Sequence, residues 1–329
     1  MSETSTKRNT KDFVFLYLKG MAMGAADVVP GVSGGTIAFI TGIYEELLDT
    51  IKGFNLSVFK TLKEEGIKAT WQKTNATFLV VLFAGIFTSI ISLAKGITFL
   101  LATYPILLWA FFFGLIVASS LIISRYIKEW NWKSIGIMVV GAAIAFYITI
   151  AAPSQIPEGF IYIFLAGCIA ICAMILPGIS GSFILLLLGA YATVLGSISG
   201  LVDGLKAMDT DLIIKYGLNI GVFMLGCIVG IISFSNFLSW MFKKAYSLTM
   251  ALLTGFMIGS LNKVWPWKET CSYRTNSHGE EVAFEQINML PTDFESLYGE
   301  PSQLWFAIGL CILGFLVVFL MEKMATKKQ

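Results

Sequence analysis

The sequence predicts an all-α polytopic membrane protein built as an inverted repeat, each half a re-entrant, broken helical hairpin followed by three transmembrane helices. Three observations predict it: an apolar composition, a helix-breaking motif that occurs twice, and a lopsided distribution of Lys and Arg. Hydrophobic residues make up 56% of the 329 and charged residues 13%, against roughly 25% charged in soluble domains. The net charge of +2 is too small to suggest a nucleic-acid partner, and the basic residues lie in short loops rather than in one patch. Four of the five cysteines (Cys168, Cys172, Cys227, Cys311) sit in apolar runs and Cys271 stands alone in a polar loop, so no disulfide framework is expected.

The duplicated motif is Pro30-Gly31-Val32-Ser33-Gly34-Gly35-Thr36-Ile37, which returns as Pro177-Gly178-Ile179-Ser180-Gly181-Ser182-Phe183-Ile184. At the same offset of 147 residues Gly20 matches Gly167, Gly42 matches Gly189 and Tyr44 matches Tyr191. Each copy interrupts a long apolar segment with a helix breaker. Such paired interruptions are the sequence signature of a binding site between the halves of a transporter.

In chain order, residues 1–12 form a polar tail with Lys7, Arg8 and Lys11, followed by no small-residue cleavage site of the kind a secretory signal needs. The first repeat covers residues 13–152 and opens with the hairpin, residues 13–51. A crossing needs about 20 apolar residues, and Lys19, Asp27, Glu45 and Glu46 leave this segment short of two. A polar loop, residues 52–75, leads to spans at 76–94, 105–124 and 134–152. The second repeat, residues 153–322, starts with a short outer turn and the second hairpin, residues 159–200. Spans follow at 216–241, 245–261 and 302–321, with a long outer loop at 262–301 and a tail at 323–329. Tryptophans near the span ends, such as Trp109, Trp132, Trp240, Trp267 and Trp305, fit interfacial belts.

If each broken segment enters and leaves by one face, sixteen Lys and Arg fall on one side and six on the other. The positive-inside rule then puts both termini in the cytoplasm. A single crossing per broken segment would move the five lysines of residues 52–75 outside and is rejected. Two full crossings give the same sidedness, with only the apolar length against them. One hairpin plus three crossings is an odd number of traversals, so the second half inserts upside down relative to the first, and the hairpin tips approach the midplane from opposite faces.

The chemistry of the tips follows from the residue types. Proline ends a helix, and the glycines let the backbone turn. A half-helix restarting near Ser33 leaves its first amides without internal partners, and the dipole favours an anion such as phosphate. The candidate anion site is therefore Pro30, Gly31, Ser33, Gly34, Gly35 and Thr36 from one tip, with Pro177, Gly178, Ser180, Gly181 and Ser182 from the other. The competing explanation is that Gly and Pro only permit close helix packing; two symmetry-related copies argue against it. Asp27 has Met174 as its counterpart. A carboxylate beside the break is costly in hydrocarbon unless paired or protonated, which makes it the candidate for coupling to a proton or sodium gradient, or else a hydrogen-bond acceptor that holds the hairpin. Glu45, Lys19 and Arg125 are secondary candidates, with interfacial, snorkelling and topological roles as their alternatives. His278, the one histidine, lies in the outer loop.

The stretch from Gly20 through Asp27 and Pro30 to Ile37, continued by Thr41-Gly42-Ile43-Tyr44-Glu45-Glu46-Leu47, resembles the signature of the polyprenyl-phosphate transporter family, and Leu176 to Phe183 fits it as well. The resemblance extends over nearly the whole chain. It implies a flippase in the bacterial cytoplasmic membrane that returns undecaprenyl phosphate, the carrier lipid of cell-envelope glycan synthesis, from the outer to the inner leaflet for reuse. It implies no enzyme and no cofactor. From the residues alone, a secondary carrier of a small hydrophilic anion uses the same broken-helix physics and remains the alternative. A lipid-phosphate phosphatase is weak, because that chemistry usually needs a histidine and His278 is isolated. Oligomeric state is not legible in the sequence.

Overall fold

The computed structural model describes residues 8–28, 32–55, 57–151, 159–275 and 281–326. Apolar length and helix breakers set the element order. Helix α1 (Thr10–Val28) runs to the first break, α2 (Gly34–Ile40) restarts beyond it, and α3 (Tyr44–Gly53) follows a tight turn. Helix α4 (Ser57–Lys73) leads to α5 (Ala76–Thr103), α6 (Pro105–Ser124) and α7 (Trp132–Ile150). The second half writes the same order: α8 (Phe160–Ile175), the short α9 (Gly181–Leu187), α10 (Ala190–Ala207), then α11 (Thr210–Lys244) and α12 (Tyr246–Ser260). A hairpin of β1 (Lys268–Thr275) and β2 (Glu281–Asn288), the short α13 (Pro291–Tyr298) and the final α14 (Leu304–Thr326) complete it. Among the described residues four helices (α5, α6, α7 and α11) are long and apolar enough to cross a membrane, and α8, α12 and α14 are shorter apolar helices. The chain is a multi-pass membrane protein.

The second break folds as its residues dictate. Leu176, which precedes Pro177, is extended, as the proline ring requires of its neighbour, and Gly178 takes φ +84°. Helices α9 and α10 meet at 107°, so they are not one straight rod. The turns after the two short helices also agree: Gly42 has φ 72° and Gly189, at the equivalent position, φ 73°.

Packing between helices uses close glycine contacts. Helix α1 packs on α5, α8 on α11, α6 on α14 and α7 on α12. A Cβ on Gly20 would strike the Leu82 carbonyl, and one on Gly167, its repeat partner, would sit 2.5 Å from the Phe223 carbonyl. Small residues at such crossings let backbones approach where the hydrophobic effect between helices is absent. The last two pairs exchange partners between halves, since α6 and α7 of the first half pack on α14 and α12 of the second. Helices α6 and α12, each the second span of its half, run in opposite directions. Ile122 and Ile123 near the end of α6 share a cavity with Tyr246 and Met250 at the start of α12, while Trp109 near the start of α6 lies against Lys268, just past the end of α12.

Three sequence expectations need correction. Residues 57–73, expected as loop, are helical apart from Gly66 (φ 82°). They lack an apolar stripe but hold four Lys and two Glu, which favour helix without one. The outer loop is not irregular: it holds an antiparallel hairpin registered from Lys268↔Asn288 to Thr275↔Glu281. Trp109 and Trp267 are not belt residues. They are 7% and 6% exposed: Lys268 of β1 lies over the Trp109 ring, and Trp267 packs in a small apolar cluster with Ile106, Ala110 and Ala307.

The glycine crossings yield a test within one helix. A Cβ on Gly314 would collide with the Phe111 carbonyl of α6, whereas one on Gly309 would meet nothing within 4 Å. Gly314→Leu should cost about 1–3 kcal/mol through overpacking and lower the unfolding temperature of the purified protein, and Gly309→Leu should leave it near wild type.

Candidate functional site

The two breaks lie against each other. The Ser33 hydroxyl is within hydrogen-bond distance of the Met174 (3.2 Å) and Leu176 (3.3 Å) carbonyls, the last of α8 before Pro177. In return the Gly178 amide donates to Thr36 Oγ1 at 2.9 Å. The Tyr44 hydroxyl donates to the Ile175 carbonyl at 3.1 Å. A Cβ on Gly35 would come 2.6 Å from that same carbonyl, so only glycine admits the approach. Ser33 and Thr36 are 1% and 0% exposed. Carbonyls and amides that a broken helix frees in a membrane interior need partners from elsewhere, and here side chains of the first half supply them to the backbone of the second break.

The start of α2 is filled from within its own hairpin. Asp27 Oδ1 accepts from the Gly34 amide at 2.7 Å, and Ser33 Oγ accepts from the Gly35 amide at 3.1 Å. A Cβ on Gly34 would lie 2.6 Å from Asp27 Oδ2. An anion reaching these amides must displace the Asp27 carboxylate and the Ser33 hydroxyl. The start of α9 differs: Ser180 makes no side-chain cap, and its hydroxyl pairs with that of Ser182 at 3.0 Å. Gly181 packs closely on α8, with Ala170 O 2.7 Å from a built Cβ. The carbonyls that end the two short helices are equivalent by the repeat, and each takes a donor from the preceding helix. Lys19 Nζ donates to Thr41 O at 2.6 Å, and the Tyr162 hydroxyl donates to Leu188 O.

Two cavities flank this junction. One, of about 320 Å³, is lined by Phe39, Ile40, Glu45, Tyr126, Tyr246 and Glu322 among others. The other, of about 450 Å³, is lined by Phe183, Leu186, Leu187, Asn262, Lys263 and Lys268 among others. Phe39 and Ile40 are the repeat equivalents of Leu186 and Leu187, so the same surface of each short helix faces its own cavity. The first cavity takes in the start of α12, and the second takes in Asn262 and Lys263 just past its end. They are thus separated by a helix of 15 residues, about 22 Å long. Carboxylates line one and ammonium groups the other.

The structure therefore brings together Ser33, Gly34, Gly35 and Thr36 with Asp27, and sets them on the backbone of the second break with Gly178. Ser180, Gly181 and Ser182 begin α9 on the far side of that break. Pro30 and Gly31 lie outside the described residues. Glu45 lines the first cavity without joining the junction. Arg125 lies 3.8 Å from Glu322, a lining residue of the same cavity. Sequence reasoning passed over Tyr44, although its match with Tyr191 marked it, and read Lys263 and Lys268 only as outer-side charges.

Residues 23–282 match the family model described as VCA0040-like, undecaprenyl phosphate translocase-like. The chain belongs to this family. It is 46% identical over 318 residues to the polyprenyl-phosphate transporter of Vibrio cholerae serotype O1 (strain ATCC 39315 / El Tor Inaba N16961), an alignment covering 97% of this chain and 99% of that protein. It is 34% identical over 261 residues to the polyprenyl-phosphate transporter of Staphylococcus aureus (strain NCTC 8325 / PS 47), covering 76% of this chain and 85% of the relative. No solved structure matches. The span shared with the translocase-like family takes in both breaks, Asp27, Lys263 and Lys268.

The junction predicts an order among Thr36 variants. Thr36→Val leaves the buried Gly178 amide without its acceptor, a loss of about 1–3 kcal/mol, whereas Thr36→Ser keeps the oxygen. Thermal unfolding of the purified variants should rank valine clearly below serine.

Proposed function

We propose that this protein is a flippase for undecaprenyl phosphate or a related polyprenyl phosphate, carrying the headgroup from the outer to the inner leaflet of the bacterial cytoplasmic membrane so that the carrier lipid is reused. The observation that carries this reading is the pair of cavities at opposite ends of α12, separated by two mutually docked helix breaks. A carrier of one phosphate on a long apolar tail needs a polar path for the headgroup and an opening toward lipid for the tail. The names of the two relatives and the family description support the substrate class.

The architecture is read as an inverted repeat with re-entrant tips and both termini in the cytoplasm. Support comes from the opposed directions of α6 and α12, from the exchange of packing partners between halves and from the 107° bend at α9 and α10. On this reading the lysine-lined cavity faces outside and the carboxylate-lined cavity inside. An anionic headgroup is attracted at the first and held weakly at the second, which suits loading outside and release inside, with the net direction set by the coupled gradient. Ser33, Thr36 and the second-tip hydroxyls Ser180 and Ser182 exchange their present partners for phosphate oxygens as the tips part. Lining residue Ile150 is 59% exposed, and this lipid-facing side of the outer cavity favours a tailed substrate over the small hydrophilic anion.

Asp27 is proposed to couple the step to a proton or sodium gradient, since neutralising it releases the Gly34 amide for the headgroup. Asparagine keeps the acceptor oxygen but removes the charge. In proteoliposomes with a labelled polyprenyl phosphate, wild type should move the label between leaflets. Asp27→Asn should fold normally yet fall to the rate of protein-free vesicles. Equal rates for the two would remove Asp27 from coupling, and no movement by folded wild type under an applied proton or sodium gradient would replace the lipid reading with the small-anion carrier.

A further inference from the structure

The cavity beneath the β-hairpin holds two ammonium groups, and no carboxylate is among its lining residues that the structure describes. Lys263 Nζ lies 4.3 Å from the centre of the Phe183 ring, and Lys268 Nζ lies 3.9 Å from the centre of the Trp109 ring. Both side chains are partly buried, and among the described residues no carboxylate forms an ion pair with either. Lys268 spends one N–H on the Lys263 carbonyl at 2.7 Å, leaving two of its three donors for a ligand. Burial holds both ammoniums below the ordinary lysine range, and for Lys268 the neighbouring Lys263 charge lowers it further.

Cations facing aromatic rings gain about 1 kcal/mol, which does not offset the removal of two like charges from water into one cavity. An arrangement of this kind is completed by an anion. The frame around it is fixed by polar contacts: the Asn288 amide donates to Asn262 O at 2.7 Å and contacts Asn262 Oδ1 at 2.9 Å, and the Asn262 amide donates to Thr149 Oγ1 at 2.7 Å. Phe183, Leu186 and Leu187 give the same cavity an apolar part of its lining. Two ammonium groups beside an apolar lining fit a phosphate monoester whose first carbons are hydrocarbon. Phe183 directly follows Ser182, so the cavity adjoins the second tip.

We propose that Lys263 and Lys268 form a phosphate-monoester receiving site beneath the β-hairpin, where the lipid headgroup docks before it reaches the helix breaks. This rests on the transport reading above for its lipid source, and free inorganic phosphate shares the same chemistry.

Full-length protein in nanodiscs, titrated separately with farnesyl phosphate and with inorganic phosphate, tests the site. Amine acylation followed by mass spectrometry reads each lysine in wild type, and exposed Lys206 serves as internal control. Farnesyl phosphate should protect Lys263 and Lys268 but not Lys206. Lys263→Gln and Lys268→Gln should each weaken its binding by about tenfold or more, the scale of a lost charge-assisted hydrogen bond, while Lys268→Arg retains most of it. Equal protection by inorganic phosphate at the same concentration would uphold the anion site and count against the lipid reading. Unprotected lysines in wild type that still moves polyprenyl phosphate between leaflets would overturn the site alone. The wild-type labelling keeps the test decisive even if the Gln variants misfold.

Discussion

The contact on which the arrangement depends is the exchange of hydrogen bonds between the two helix breaks. Breaking a helix inside a membrane strands carbonyls and amides that lipid does not satisfy. Here the Ser33 hydroxyl lies by the carbonyls of Met174 and Leu176, Tyr44 serves that of Ile175, and Thr36 serves the Gly178 amide. The second break is therefore satisfied by side chains of the first half, while the first amides of α2 are taken up within its own hairpin by Asp27 and Ser33. The duplicated motif is thus one structural unit split across 147 residues of sequence, and the two halves are held in register by it.

That dependence also makes the junction suited to opening. Its bonds are few, several use side-chain hydroxyls, and phosphate oxygens can accept the donors that protein carbonyls now engage. Asp27 occupies the place of an anion at the start of α2, so the hairpin already holds there a charge of the sign it is proposed to admit. On either side lie cavities of opposite lining charge. With an anionic cargo this asymmetry makes the two cavities differ in affinity without requiring a different fold for each half.

Much of the frame was legible in the sequence. Apolar runs bounded by polar turns placed the six later apolar helices to within several residues at most ends, four of them long enough to cross a membrane. The proline and glycine at each break announced the short helices α2 and α9, whose seven-residue lengths and repeat positions agree. What the sequence did not reveal was partner choice. Nothing in the spacing of Ser33 says that its hydroxyl reaches Met174 rather than its own helix, because that depends on how α1 and α8 are brought together. Residues 57–73 were missed because helix propensity without an apolar face leaves no periodic trace. The hairpin left a weak one, with Thr270, Tyr273, Val282 and Ile287 flanking the turn-forming Asn276-Ser277-His278-Gly279. Lys263 and Lys268 were silent because two lysines in a loop of mixed charge carry no spacing signal; only folding places them over Phe183 and Trp109.

The central claim is that the docked tips part during passage of a headgroup, and a cysteine at Ser33 in a background lacking the five native cysteines tests it most directly. At 1% exposure in the docked arrangement, this thiol should resist a membrane-impermeant maleimide in the absence of substrate. It should become reactive when a polyprenyl phosphate is supplied to transport-competent protein. A thiol that stays inert throughout sustained transport would contradict the account, because the headgroup would then be passing somewhere other than between the breaks.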